Sequence, residues 1–386
     1  MNSPYSSENE TEYKPYSKRL RKRRNASGLS PRKTNPRTPN SSPKRKSRKK
    51  QIPTLPDFDY DTSKLEEISD LVKIAEMWGD HKVMYNIDDI LLEYIDHDFV
   101  KEYYNKYITY ERLLWIIDEL KEFDSLIGLG DLKVSLVDQI IFFVQNLQSG
   151  ELMHTVLYGE QGCGKTTVCN ILAKMYSNLG ILSEGTFTVA RRSDFIAGYL
   201  GQTAIKTKKL LDSCIGGVLF IDEAYSLGPS DGDSDSFSKE AIDTLNQFLS
   251  ENYENFICII AGYEKNLNDN FFSKNPGLDR RFPWKFKINK YSDKELFNIF
   301  KNNFSGNWKC NVSDECLKYF KTSEFSNNGG DCKIVFDRCK IYHGRRMFRD
   351  ISSEKFLIND SDVKNAINDF MKSKTTKSPT PNGLYI

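Results

Sequence analysis

The sequence predicts an α/β protein: a five-stranded parallel sheet followed by an all-helical lid, preceded by a small helical region and a disordered basic tail. Three observations predict it. Between residues 125 and 288, short β-rich apolar runs alternate with helical stretches. After Tyr291 the helical periodicity continues with no strands between the helices, and the first 52 residues contain almost no aliphatic side chains.

The tail, residues 1–52, is Ser, Pro, Asn, Lys and Arg, a composition that buries too little apolar surface to offset the entropy of ordering. It carries 16 of the 55 Lys and Arg and 3 of the 53 Asp and Glu, a net +13. The remaining residues hold 39 against 50, a net −11, so the arm and not the body is the part suited to polyanions. Lys18-Arg19 with Arg21 to Arg24, and Lys44-Arg45-Lys46 with Arg48 to Lys50, make residues 14–50 a candidate contact for nucleic acid or a nuclear import receptor. A merely solvated tail is the alternative, since no aromatic residues are interleaved to stack on bases.

Residues 53–124 form the helical region. Ser63-Lys64-Leu65-Glu66 has the capping-box pattern, and Leu65, Ile68, Leu71, Val72 and Ala75 recur at helical spacing. Further helices are expected over residues 88–95 and 110–123. The nucleotide-binding domain spans residues 125–288, with strands at 154–158, 186–190, 217–221, 256–261 and 284–288. The lid spans residues 289–372, with helices at 293–304, 313–321 and 334–342, and residues 373–386 return to a flexible Lys, Ser, Thr and Pro composition.

The eight cysteines include no C-x-x-C pair and the four histidines are scattered, so reduced thiols are expected and a structural zinc is not. No apolar stretch approaches the ~20 residues needed to span a bilayer, so an intracellular, soluble protein without membrane contact is expected, cytoplasmic or nuclear.

The strongest chemical signal is Gly159-Glu160-Gln161-Gly162-Cys163-Gly164-Lys165-Thr166, which fits G-x-x-x-x-G-K-[ST] between a strand and a helix and continues into Thr167. Glycines let backbone N–H groups turn inward around phosphates, and the helix that starts near Lys165 aims its positive end at them. Lys165 is placed for the β- and γ-phosphates of ATP, and Thr166 for a Mg²⁺ ion. The second signal is Gly217-Val218-Leu219-Phe220-Ile221-Asp222-Glu223, an apolar strand ending in two acids. A buried strand carries Asp222 to the sheet edge as a Mg²⁺ ligand, and Glu223 is then the group that orients or deprotonates water. Two acids that only complement a helix dipole are the alternative.

In this order the motifs resemble the AAA+ superfamily and, more narrowly, the CbxX/CfxQ family that includes the red-type Rubisco activases. The resemblance covers residues 125–345. It rests on Leu126 to Leu129, the phosphate loop, Gly198 to Ala204, Phe220 to Leu227, Glu240 to Leu245, Ile260 to Tyr263, Asn275 to Leu278 and Arg281-Phe282-Pro283. It implies a P-loop sheet of AAA+ type and a ring of copies of this chain, usually six, that hydrolyses ATP between neighbours and remodels a protein client. Arg281 matches the family's arginine finger, with an exposed charge beside the last strand as the alternative. Tyr199-Leu200-Gly201 matches the triplet that lines the pore, with packing against its own domain as the alternative. Ile127 and Gly128 resemble the adenine-contacting segment, and a simple helix entry explains them as well. The family's lid arginine is replaced by Lys333 in Gly330-Asp331-Cys332-Lys333, and a lysine cannot reproduce a planar bidentate grip. A second reading of the same residues is an ATP-switched binding or scaffold protein associated with nucleic acid through the basic tail.

Overall fold

The computed structural model describes residues 55–60, 65–94, 98–148, 150–199, 201–228, 236–349 and 354–375. The expectations for the basic tail, the Ser63 cap, Leu200 and the last eleven residues lie outside them. The chain separates into two compact units.

The first unit holds the described residues up to Lys121 together with 137–148 and 178–180. Its helices are α1 (Ile68–Met84), α2 (Ile87–Glu93), α3 (Asp98–Trp115) and α4 (Ile117–Asp124), the last extending past Lys121. Helix α1 starts three residues later than its periodicity predicts. There Asp70 accepts the Glu67 N–H at 3.2 Å and caps the helix locally. Trp78 is fully buried and stacks on Tyr107 at 5.1 Å between centroids. Beside it Lys82 is sealed between Glu111 at 2.6 Å and Asp88 at 2.7 Å, so the buried charges are paired.

The second unit contains the sheet. Helix α5 (Gly130–Val144) opens in this unit and ends in the first. The strands are β1 (Thr155–Tyr158), β2 (Phe187–Ala190), β3 (Val218–Ile221), β4 (Ile257–Gly262) and β5 (Trp284–Lys287), one for each run expected. They lie in the order β2-β3-β4-β1-β5 and every pair is parallel. Strands β1, β3 and β4 are buried along their whole length, which is why they read as continuous apolar runs and not as alternating ones. Between the strands run α6 (Lys165–Asn178), α7 (Arg192–Phe195), α8 (Thr203–Asp212), α9 (Ser236–Glu251), α10 (Glu264–Asn270) and α11 (Pro276–Asp279).

After the sheet, α12 (Asp293–Asn302) begins with a capping box in which Glu295 Oε2 accepts the Ser292 N–H at 2.7 Å. The stretch 313–321 is a 3₁₀ run over Asp314–Tyr319. Helix α13 (Gly329–Arg349) is longer than its apolar periodicity predicts, and α14 (Asp360–Thr375) follows. The segment read as all-helical also carries one short parallel pair, β6 (Lys309–Asn311) with β7 (Leu357–Asn359). All three residues of β6 are exposed, so no apolar alternation marks it. A half-buried knot closes this end: Arg346 grips Asp362 through Nε at 3.2 Å and Nη2 at 2.9 Å.

Candidate nucleotide site

Because all five strands are parallel, the segments that leave β1, β3 and β4 emerge on one edge of the sheet. The register sets Tyr158 beside Gly262 and Ile221 beside Ile260, so Gly159 and Asp222 stand on either side of β4 at that edge. Ligands of open parallel sheets bind in this position.

The phosphate loop turns through two left-handed glycines, Gly162 at φ +70° and Gly164 at φ +92°. L side chains rarely adopt that conformation. Lys165 opens α6 and donates to the carbonyls of Gly159 at 3.3 Å and Glu160 at 2.8 Å. Thr166 and Thr167 follow on its exposed side. Glu160 pairs with Lys290 at 2.8 Å. The Cys163 thiol is buried, and burial, only partly opposed by Lys165, raises its pKa.

Asp222 follows β3 and accepts the Glu223 N–H at 3.1 Å. Cys169, one turn into α6, reports its closeness to the loop. Burial and then the Asp222 charge drive that thiol pKa well up, while Lys165 acts in the opposite sense. Glu223 is exposed and sits at φ +53°, a conformation uncommon for anything but glycine. Its carboxylate lies close enough to the Tyr225 hydroxyl to act on it. Burial and that carboxylate together push the Tyr225 pKa up to about 12. The Tyr225 ring lies over Gly262, where a Cβ would come within 2.9 Å of it. The turn is anchored from α7 by Arg192, whose Nη1 donates to Ser226 O at 2.5 Å and Gly228 O at 3.0 Å.

A cavity of about 360 Å³ opens beside the loop, the size of a small-ligand pocket. Gly162, Gly164 and Thr167 form its phosphate-loop side, and Ser125, Leu126, Ile127 and Leu129 form a second wall. Gly128 turns that wall at φ +70°, packed so closely on Tyr291 that a Cβ would lie 3.0 Å from the ring. Tyr291, Ile299, Asn302, Asn303 and Gly329 close the third side. None of these five was singled out from the sequence, and the nearest signal was the turn-forming run Asn327-Asn328-Gly329-Gly330.

Lys333, Arg281 and Tyr199 do not line the cavity. Lys333 is exposed on α13 and does not line it; Gly329, at the start of the same helix, does. Arg281 is half-buried and donates its Nε to Ser250 Oγ on α9 at 2.9 Å. Tyr199 is 74% exposed, in the turn that Gly201 completes at φ +78°.

The family model described as "ATPase family associated with various cellular activities (AAA)" matches residues 155–283, from β1 to the residue before β5. A putative cfxQ-like protein of Acanthamoeba polyphaga mimivirus is 36% identical over 288 residues, 72% of this chain and 71% of that protein. This chain belongs to the CbxX/CfxQ type of AAA+ ATPases. Two bacterial relatives match over shorter spans. Stage V sporulation protein K of Bacillus subtilis is 37% identical over 47% of this chain and 58% of its own length. Protein CbbX of Cereibacter sphaeroides is 40% identical over 38% of this chain and 47% of its own length. The cavity lies beside the phosphate loop of this AAA+ ATPase, and none of its described helices is long and apolar enough to cross a membrane.

Proposed function

We propose that the chain hydrolyses ATP with Mg²⁺ in a ring of its own copies and uses the cycle to remodel a protein client. Thr166 and Asp222 supply one hydroxyl and one carboxylate, the small oxygen set that Mg²⁺ takes alongside phosphate oxygens. Both are accessible at the loop edge, and the described contact of Asp222 with Glu223 N leaves its second oxygen for such a role. When bound, the ion neutralises charge on the phosphates. Lys165 turns its ammonium from the loop carbonyls to the β- and γ-phosphates. Glu223, near Tyr225, orients the attacking water and takes its proton. Ile127 and the turn at Gly128 receive the base.

The observation that carries the assembly is Arg281. It does not line its own chain's pocket, and its guanidinium is bound to Ser250 through Nε. A guanidinium so placed suits the γ-phosphate of a neighbouring subunit, where such a residue contributes about 10³ to 10⁵ in rate. Tyr199, exposed on its turn beside Gly201, is the side chain offered to the client, with Leu200 next to it in sequence.

The test mixes two inactive proteins. Arg281→Ala lacks the finger and Lys165→Ala lacks a working pocket, so co-assembly pairs an intact pocket with an intact finger. ATP turnover is expected to reappear on mixing, up to about a quarter of wild type if assembly is random. Co-assemblies seen by size-exclusion chromatography that stay inactive would sink the trans role. Tyr199→Ala is expected to keep ATP turnover and lose stimulation by client.

A further inference from the structure

The phosphate loop is held on its outer face. Five consecutive carbonyls, from Gly159 to Cys163, each accept a hydrogen bond from elsewhere than the loop backbone. Lys165 takes the first two and gives them up when it turns to the phosphates, so the standing hold is on the other three. Asn328 Nδ2 donates to Gln161 O at 3.1 Å, the Gly329 N–H to Gly162 O at 3.1 Å, and the Tyr291 hydroxyl to Cys163 O at 2.9 Å. The last three donors all come from beyond β5. Carbonyls satisfied on the outside keep the peptide planes turned so that their N–H groups face inward, where an anion is bound.

The donors are themselves fixed. Asn328 is 1% exposed. The loop before α13 is tied by Asp331, 1% exposed, which accepts from Asn327 N and Asn327 Nδ2, both at 3.1 Å. From the last turn of α14, Lys374 reaches Asp331 at 2.8 Å, and it also donates to Glu324 O. The two loops meet so closely that a Cβ on Gly162 would lie 2.0 Å from Asn327 O.

We propose that residues 327–330 form a brace on the phosphate loop, with Asn328 as a positioning residue for nucleotide binding and the Asp331–Lys374 pair as its anchor. Lid position is then communicated to the phosphates through the loop backbone, and α14 is part of that line. Lys333, exposed and not lining the cavity, makes none of these contacts.

The experiment uses the full chain and ADP as the probe. Asn328→Ala is expected to raise the ADP dissociation constant about fivefold, the usual effect of one hydrogen bond, and to speed amide exchange at Gly162 and Gly164. At saturating ATP its kcat is expected to stay within about twofold of wild type. Lys374→Met leaves both loops untouched and keeps the stem that lies over Phe370, 4.6 Å from the ammonium. It is expected to raise the constant about twofold, because its effect on Asn328 is indirect. Wild-type affinity in both variants overturns the proposal, and so does a fall in kcat with affinity unchanged. If Asn328→Ala does not fold, Lys374→Met decides alone.

Discussion

The Tyr291 hydroxyl donates to the carbonyl of Cys163 across 128 residues of sequence, at 2.9 Å. One side chain in the segment that joins β5 to α12 therefore touches the phosphate loop and also lines the pocket. Its phenol pKa is raised, first by burial and then by the Cys163 thiol, so it is a neutral donor at any working pH. Tyr291→Phe keeps the ring against Gly128 and removes only the donor. KM for ATP is expected to rise about fivefold with kcat within twofold, as steady-state kinetics would read. An unchanged KM would mean that the carbonyl needs no cap.

Gly162 is fixed by two independent constraints, a left-handed φ and the approach of Asn327 O. Gly162→Ala adds about 1–2 kcal/mol of backbone strain before the steric clash is counted. The clash can be relieved only by parting the two loops. ADP affinity is expected to fall more than tenfold, with a lower thermal midpoint, in calorimetric titration and melting. An alanine protein that binds ADP normally would show that the loops part without cost.

The elements that carry the motifs were legible because each is local. Gly159 to Thr166 and Phe220 to Glu223 each sit at a strand end and turn in one short run, and the burial of β1, β3 and β4 writes itself as unbroken apolar sequence. What the sequence hid is non-local. Asn328 reads as an ordinary turn residue, and its partner Gln161 lies 167 positions away. Lys333 was chosen by its place in a motif, yet the turn before α13 brings Gly329 and not Lys333 to the cavity. The β6–β7 pair stayed invisible because both strands have only three residues, too few for a periodicity, and β6 is exposed throughout.

His154, just before β1, gives a pH dependence of known sign. It is fully buried, with Nε2 3.1 Å from Leu249 O and Nδ1 accepting from Cys258 N at 3.1 Å, so it is neutral with the proton on Nε2. Burial lowers its pKa from 6.5 to about 4. The unfolded chain takes up this proton below about pH 6.5 and the folded chain only near pH 4, so stability is lost as pH falls through that window. The contribution is about 3 kcal/mol in full and about 2 kcal/mol at pH 5. His154→Gln keeps a donor for Leu249 and abolishes the titration. Urea midpoints at pH 8 and pH 5 are expected to differ less in the variant than in the wild type. Equal differences would assign the acid sensitivity elsewhere.

Tyr225 separates binding from chemistry. Its hydroxyl lies near the Glu223 carboxylate, and its ring packs over Gly262 at the end of β4, 6.2 Å from the Tyr263 ring. It does not line the cavity beside the phosphate loop. If Glu223 orients the attacking water, removing the hydroxyl takes away a polar neighbour of its carboxylate. Tyr225→Phe is therefore expected to lower kcat about tenfold with ADP affinity unchanged, the opposite split from Asn328→Ala. The pair of variants distinguishes the two ends of the site, because Glu223 is reached through Tyr225 and the phosphate loop through Asn328. A Tyr225→Phe protein that loses ADP affinity in step with kcat would place Tyr225 in support of the loop and remove it from the positioning of Glu223.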